Sequence, residues 1–418
     1  MSKKDIIIGG GISGLSFAMY DRDNDWMLLE KDERLGGYCK TTYRNGFVWD
    51  YSGHFFHFRD KDMERMLMHN MGPDDLVEPV KNTKIKYKDL FVEYPFQKNI
   101  HQLPKEELID CLYDLFNNEH KDFSNFKEML YCKFGTSIAE KFLIPYNSKL
   151  YACDLNRLDK DAMGRFFPYA EKEEIIRNFK AGDNNSYNAT FVYPKKGSLE
   201  YVKSVLSHID TGRIRTNCGA SSIDLRTKTV VTDRGESLHF DRLVSTLPFP
   251  MLLKMCGVDY DESYYSWNQV MVFNIGFDKK GPIDKFHWIY FPEGKYIFYR
   301  VGFYDNILSQ DRTSVYVEIG FDNKTVIEPE KYYDTVLQDM LAAGLIDASQ
   351  KVVDHETVVM NPAYVHITSN SVRDVEEKKK MLADYGVYSI GRYGSWTYCS
   401  IEDNIAEARD LAKLLSGE

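Results

Sequence analysis

The strongest constraint on the fold lies at the start of the chain. Asp5–Ile8 is a short apolar run, and Gly9-Gly10-Gly11-Ile12-Ser13-Gly14 follows it directly. Helical spacing then runs from about Ser13 to Tyr20, a second apolar run covers Trp26–Leu29, and Glu30 ends the unit. Strand, glycine turn, helix, strand and acid within about 30 residues is the pattern of a dinucleotide-binding unit. Gly9 permits the tight turn, Gly11 lets the backbone approach a pyrophosphate, and Gly14 lets helix and strand pack closely. The helix N-terminus, at Ser13, presents free N–H groups to phosphate. Glu30 lies 21 residues after Gly9, where a carboxylate can accept ribose hydroxyls. The competing reading is a glycine-rich turn in another α/β fold.

The chain has 418 residues, which predicts two or three domains. Lys plus Arg number 53 against 63 Asp plus Glu, a formal charge of −10. That balance argues against sequence-independent nucleic-acid binding, and an anionic ligand would need a local basic pocket. Hydrophobic residues are 43 % and charged residues 28 %, enough apolar material for a core. The seven cysteines are scattered and contain no C-x-x-C pair, so neither a disulfide framework nor a zinc site is expected. No apolar run approaches the roughly 18 residues of a membrane span, and no signal-peptide pattern precedes the first strand. A cytoplasmic location and a reducing compartment are expected.

The rest of the chain alternates in character. Residues 61–99 mix short segments and turns. Residues 105–165 read as helical, with Glu106–Phe116, Asn125–Phe134 and Thr136–Leu143 carrying apolar positions at helical spacing. Strand alternation follows at Thr229–Val231, Trp267–Phe277, Trp288–Phe291, Tyr296–Phe303 and Ser314–Phe321. Tyr332–Ala343 is an amphipathic helix, Val387–Ile390 a strand ending at Gly391-Arg392, and Glu402–Leu415 a terminal helix. With no repeats and no low-complexity linker, the domains are expected to interleave.

Lys31-Asp32-Glu33-Arg34-Leu35-Gly36-Gly37, just beyond the ribose acid, resembles the Arg-x-Gly-Gly element of FAD-binding flavoproteins such as amine oxidases and protoporphyrinogen oxidases. Tyr388–Arg392 is similar to their second cofactor-side element. Further segments resemble UDP-galactopyranose mutases, a branch of the same superfamily: Ser52–Phe58, Tyr94–Asn99, Phe142–Tyr151, Asn188–Pro194, Phe298–Arg300, Pro362–Tyr364 and Gly391–Tyr398. The matches run in order along nearly the whole chain. They depart from the bacterial mutases at Ser400-Ile401-Glu402-Asp403-Asn404.

The resemblance implies an α/β fold: a Rossmann-type FAD-binding domain, an inserted helical domain and an antiparallel β-sheet substrate domain. The expected FAD-binding parts are 1–60, 195–250 and 380–418. A sheet domain is expected at 61–99 and 166–194, a helical domain at 100–165 and the antiparallel substrate sheet at 251–379. The implied activity interconverts pyranose and furanose forms of a UDP-sugar, with reduced FAD N5 as nucleophile at the anomeric carbon and no net redox change. NAD(P)H is a candidate reductant and a homodimer a candidate assembly. The alternative activity is an FAD-dependent oxidase or dehydrogenase.

By the same resemblance the cofactor residues are Gly9, Gly11, Ser13, Gly14, Glu30, Lys31, Arg34, Gly36, Gly37, His54, Gly391, Arg392 and Tyr398. The catalytic set is His54, Arg165 and Arg300, and the substrate-binding set is Gln97, Asn188, Tyr364 and Tyr398. A diphosphate in a −10 protein requires convergent arginines, whose planar forks suit phosphate oxygens. Alternation along Tyr296–Phe303 would point Arg300 and Phe298 to one face and Tyr299 to the other. The bland reading of Arg300 is an ion pair with a buried carboxylate. Gln97 reads equally well as a turn cap. His54 and His57 lie three apart without a third ligand, so no metal is expected, and His57 reads as structural.

Overall fold

The computed structural model describes residues 4–21, 24–180 and 190–417. Asn188 therefore lies outside the described residues.

The N-terminal unit forms as its glycines require. The strand Lys4–Ile8 lies in a five-stranded parallel sheet, in the order Val387–Ser389, Arg242–Ser245, Lys4–Ile8, Asp25–Leu29 and Ile214–Arg215. Parallel strands buried on both faces read as continuous apolar runs, which explains Ile6-Ile7-Ile8. The helix Ile12–Tyr20 follows the glycine turn and buries eight of its nine residues. It packs against Leu199–Leu206 and against the terminal helix Ile401–Ser416, with Leu15, Phe17, Val202, Val205, Ile405 and Ala408 in one core. This unit is thus built from the start, middle and end of the chain.

The inserted helices are Lys105–Phe116, Phe126–Ile138 and Ile144–Tyr151, with a π-turn at Ala139–Leu143. Asn125 caps the second by accepting from Glu128 N at 3.0 Å. Gly135, at φ 74°, breaks it where a side chain would strike Asp114 O. Helix does not continue to residue 165: after Tyr151 the chain runs through short turns at Leu155–Arg157 and Gly164–Phe166.

The large sheet runs Val352–Met360, Ser266–Phe277, Ser314–Asp322, Arg300–Phe303, Trp288–Tyr290, Thr83–Tyr87, Leu90–Glu93, with Val365–His366 paired beside Ser266 and Trp267. It is mixed rather than purely antiparallel, because Trp288–Tyr290 runs parallel to Thr83–Tyr87. One face meets the inserted helices through an aromatic core that includes Phe96, Phe134, Tyr151, Trp288 and Tyr299. The other is covered by the helix Glu330–Ala342 through Val336 and Met340.

The expected strand Tyr296–Phe303 is shorter, spanning only Arg300–Phe303. Tyr299 donates its N–H to Glu318 O at 3.0 Å, while Arg300 is the ladder partner of the same Glu318. Two residues thus face one, as in a bulge, and the alternation resets. Phe298 lies in the core under Glu330–Ala342, Tyr299 in the opposite one. Arg300 lies over Tyr316, a residue of Tyr299's core, so the expectation that Arg300 shares the face of Phe298 is corrected.

Beneath the parallel sheet, Arg242 is buried between Asp5 and Asp21, with Nε donating to Asp5 at 2.8 Å and Nη2 to Asp21 at 3.2 Å. One guanidinium faces two buried carboxylates. Burial, and then the neighbouring Asp5, push the Asp21 carboxyl up to about 7. Its folded value lies above its unfolded one, so the protonated form stabilises the fold at low pH. That contribution is lost as pH rises through about 7. Asp21→Asn cannot ionise. It is expected to gain roughly 1–3 kcal/mol on the parent between pH 5 and pH 8, read from denaturation at both pH values. A difference independent of pH contradicts this assignment.

Candidate functional site

The glycine turn and the second cofactor-side element meet. A Cβ on Gly14 would run into Gly9 O, so helix and strand approach as closely as the spacing predicts. Gly36 N donates to Gly10 O at 2.8 Å, which lays Gly36-Gly37 alongside Gly11. A Cβ on Gly11 would lie 3.8 Å from Gly37 Cα and one on Gly37 3.2 Å from Gly11 Cα, so the two glycine backbones pack in near contact. Glu30 is buried and accepts from Gly10 N at 2.6 Å and Asp32 N at 2.8 Å. Ser13 Oγ donates to Asn404 Oδ1 at 3.0 Å, and the same oxygen accepts Arg392 N at 2.7 Å. A side chain on Gly391 would press on Ser13 Oγ at 2.6 Å.

Arg392 is the most unusual cation here. Its guanidinium lies 5.0 Å from the Tyr364 ring and 4.6 Å from the Tyr398 ring. Nη1 donates to Cys399 O at 3.1 Å, and Nε is buried without a partner. Among the described residues no carboxylate pairs with it. Tyr364 and Tyr398 stack at 5.8 Å, and Phe166 meets Tyr398 edge-on at 4.9 Å. Tyr364 is placed by buried Asn268, whose Oδ1 accepts Tyr364 N at 2.7 Å.

Arg300 holds Glu318 with both ends of its fork, Nε and Nη2 each at 2.6 Å. Glu318 is fully buried and also accepts from Ser52 Oγ. Ser52, at φ 75°, begins the loop that carries His54. The bland reading of Arg300 thus describes its observed partner, although the side chain remains 19 % exposed. His54 Nδ1 is buried without a partner. Burial and then the Arg392 charge, with Arg300 adding to them, push its imidazole down to about 4.

Arg165 sits on the turn Gly164–Phe166, over the Phe166 ring at 4.4 Å. Its Nη2 donates to Asp403 at 2.6 and 2.8 Å. Through Phe166 and Tyr398 it joins the aromatic cluster, with a carboxylate as its observed partner.

The structure thus brings together Gly9, Gly11, Ser13, Gly14, Glu30, Gly36, Gly37, His54, Arg300, Tyr364, Gly391, Arg392 and Tyr398, with Arg165 at the margin. Other expected residues have protein partners in this structure. Gln97 is fully buried and donates Nε2 to Pro168 O, while its Oε1 is buried without a partner. Lys31 is exposed and pairs with Asp32 at 2.9 Å. Arg34 is exposed and donates to Thr41 O at 2.7 Å. His57 Nδ1 bonds Thr190 O at 2.6 Å. Sequence reasoning missed Glu318, Ser52, Asn404 and Tyr151. Glu318 had a signal, being the one acid inside the apolar run Ser314–Phe321. Tyr151 lies 6.0 Å from Tyr364 with a buried, unpartnered hydroxyl.

Residues 7–69 match a family model described as an NAD(P)-binding Rossmann-like domain. A crystal structure of reduced UDP-galactopyranose mutase is similar to this chain with a TM-score of 0.92 and 24 % identity, covering 100 % of this chain and 94 % of that one. The fold is that of this mutase. A putative protoporphyrinogen oxidase from Exiguobacterium sp. 255-15 is similar at TM-score 0.79 and 18 % identity, over 99 % of each chain. A wild-type putrescine oxidase bound to putrescine follows at 0.67 and 13 %, over 100 % of each chain. This chain thus shares its overall fold with a mutase and with oxidases. Among the described residues no helix is long and apolar enough to cross a membrane.

The His54 environment can be checked directly. Its folded value lies below that of a free imidazole, so the ring stays neutral from pH 5 to 8 and takes up a proton only near pH 4. Nitrogen-detected NMR of the labelled imidazole, assigned with His54→Gln, is expected to show no inflection above pH 5. A midpoint between 6 and 7 contradicts the burial argument.

Proposed function

We propose that this chain is a flavin-dependent mutase that interconverts pyranose and furanose forms of a UDP-sugar. The observation that carries the reading is Arg392. A buried cation with an unpartnered Nε, set against two stacked tyrosines and joined to the first glycine turn through Asn404, calls for an anion. In a protein of charge −10, such a site is a local exception that a substrate diphosphate fits.

The residues fit FAD. The turn Gly9–Gly14 carries no side chain at Gly9, Gly11 or Gly14, so a pyrophosphate could approach the free N–H groups that open the helix Ile12–Tyr20, with Ser13 in its first turn. Glu30, now bonded to backbone N–H groups, would accept the ribose hydroxyls. The unpartnered His54 Nδ1 and the Gly391-Arg392 turn would face the flavin ring. Bound and reduced, FAD supplies a nucleophilic N5 at the anomeric carbon without net redox change.

This chain's own residues bind and orient. Neutral His54 is poised to hydrogen-bond a neutral partner without adding charge. Arg300, held by Glu318, keeps its Nη1 end for a phosphate oxygen. Burial pushes the Tyr364 hydroxyl up, so it keeps its phenol proton and would donate to phosphate, with the Tyr398 phenol stacked beside it. Arg165 offers a second fork from the margin. Together they would retain UDP while the sugar rearranges, stabilising the charge that develops as the phosphate leaves.

The purified protein is expected to be yellow, with one non-covalent FAD per chain. Glu30→Ala is expected to weaken FAD binding by about 1.5–3 kcal/mol, roughly 10- to 100-fold, because the ribose loses an ionised acceptor. Flavin released by heat and measured by absorbance checks this. A colourless protein removes the proposal.

Activity is expected to require reduced flavin yet consume no stoichiometric reductant. Dithionite-reduced protein is incubated with UDP-galactofuranose and the products are separated by chromatography. Many pyranose products per flavin identify an isomerase. One equivalent of O2 or another acceptor consumed per turnover identifies an oxidase.

A further inference from the structure

The two carboxylate-paired arginines of the candidate site are held in opposite ways. Glu318, which holds Arg300, is fully buried, and its other bond is to Ser52. If Arg300 withdrew, a buried carboxylate would lose its counter-charge, a costly arrangement. Arg300 is therefore fixed. Asp403, which holds Arg165, is 26 % exposed, and Arg165 is 34 % exposed. Asp403 also accepts from Arg59 Nη2 at 2.7 Å and from Ser400 N and Oγ, each at 2.8 Å. If Arg165 withdrew, Asp403 would keep a cation and both capping bonds. No orphan results, and the solvent-facing pair is cheap to exchange.

We propose that Asp403 is an affinity-setting residue, an internal carboxylate that occupies Arg165 until a nucleoside diphosphate takes its place. The geometry favours exchange over permanent pairing. Arg165 is on a turn of the segment that leaves the inserted helices, and Asp403 is in the first turn of Ile401–Ser416, so the contact joins two separate elements. Phe166, under the guanidinium, packs on Tyr398, so Arg165 can turn toward the tyrosine pair by rotating its own side chain. The ligand must outcompete a carboxylate already in place. The cost of that exchange is subtracted from the affinity of every anion that takes Arg165. Asp403 belongs to Ser400–Asn404, where the sequence departs from the bacterial mutases.

The proposal rests on the reading of the site as one for a UDP-sugar, and the experiment separates the two. UDP binding to the FAD-loaded protein is measured by equilibrium dialysis for the parent and four variants. Asp403→Asn removes the competing charge and is expected to lower the UDP Kd about 3- to 10-fold. Asp403→Glu keeps the charge and is expected to stay within about 2-fold of the parent. Arg165→Gln is expected to weaken binding, and Asp403→Asn added to it is expected to give no gain, since the benefit passes through Arg165. If Asp403→Asn binds UDP no better than the parent, Asp403 is not a competitor and the proposal fails. If the gain persists without Arg165, general electrostatics explain it and the proposal fails. If neither the parent nor any variant binds UDP, the proposed function fails and this proposal with it.

Discussion

The Glu318 carboxylate is the constraint on which the candidate site turns. It is fully buried at the centre of the large sheet, where an uncompensated charge would be costly. Arg300 covers it with two bonds, and Ser52 completes it from a different part of the chain. One acid therefore fixes the sheet's arginine and also the left-handed turn that launches the His54 loop. Removing either partner of such a pair costs about 3–5 kcal/mol in other proteins. The pair is a poor source of net stability, and its value here is positional. It sets a cation and an imidazole on the same wall, and the Arg300 charge helps keep that imidazole neutral.

A second constraint is that the site assembles from chain segments almost four hundred residues apart. Asn404 joins Ser13 to Arg392 through a single oxygen. That works only because Gly391 lacks a side chain against Ser13 and because Gly14 lets the first helix sit tight on its strand. The terminal helix then packs on the first helix through Ile405 and Ala408. Loss of the terminal helix would therefore free Ser13 and Arg392 from Asn404 as well as uncovering a core.

Local patterns made the Rossmann unit legible: the glycine spacing, the two short apolar strands and Glu30 all specify backbone geometry directly. The break at Gly135 was legible too, because helical spacing stops on either side of it. What was not legible depended on partners far away in sequence. The strand before Arg300 reads as continuous alternation, and only the pairing with Glu318 reveals the bulge that resets its faces. Gln97 reads from its motif as a ligand or a turn cap, and only the fold shows that its Nε2 donates to Pro168 O. Arg165 and Arg300 were recognisable as important cations, and an ion pair was one reading of Arg300. Which carboxylate each would meet could not follow from their neighbours, since Glu318 and Asp403 come from other elements.

Those two pairings also explain how the chain accommodates its clustered cations. Left unpaired, Arg300, Arg392 and the marginal Arg165 would repel one another and destabilise the chain. Glu318 cancels one charge from inside the sheet and Asp403 cancels another from the surface, while the Tyr364 and Tyr398 rings accommodate Arg392 on their faces. Each solution has a different cost of release. The buried carboxylate is permanent, the ring faces leave the guanidinium edge open, and the surface carboxylate exchanges readily. A diphosphate entering this arrangement would meet one fixed cation, one open cation and one that must be won from Asp403. Affinity for the anion would then be set mainly by the third, because it is the contact whose free-state partner is easiest to replace.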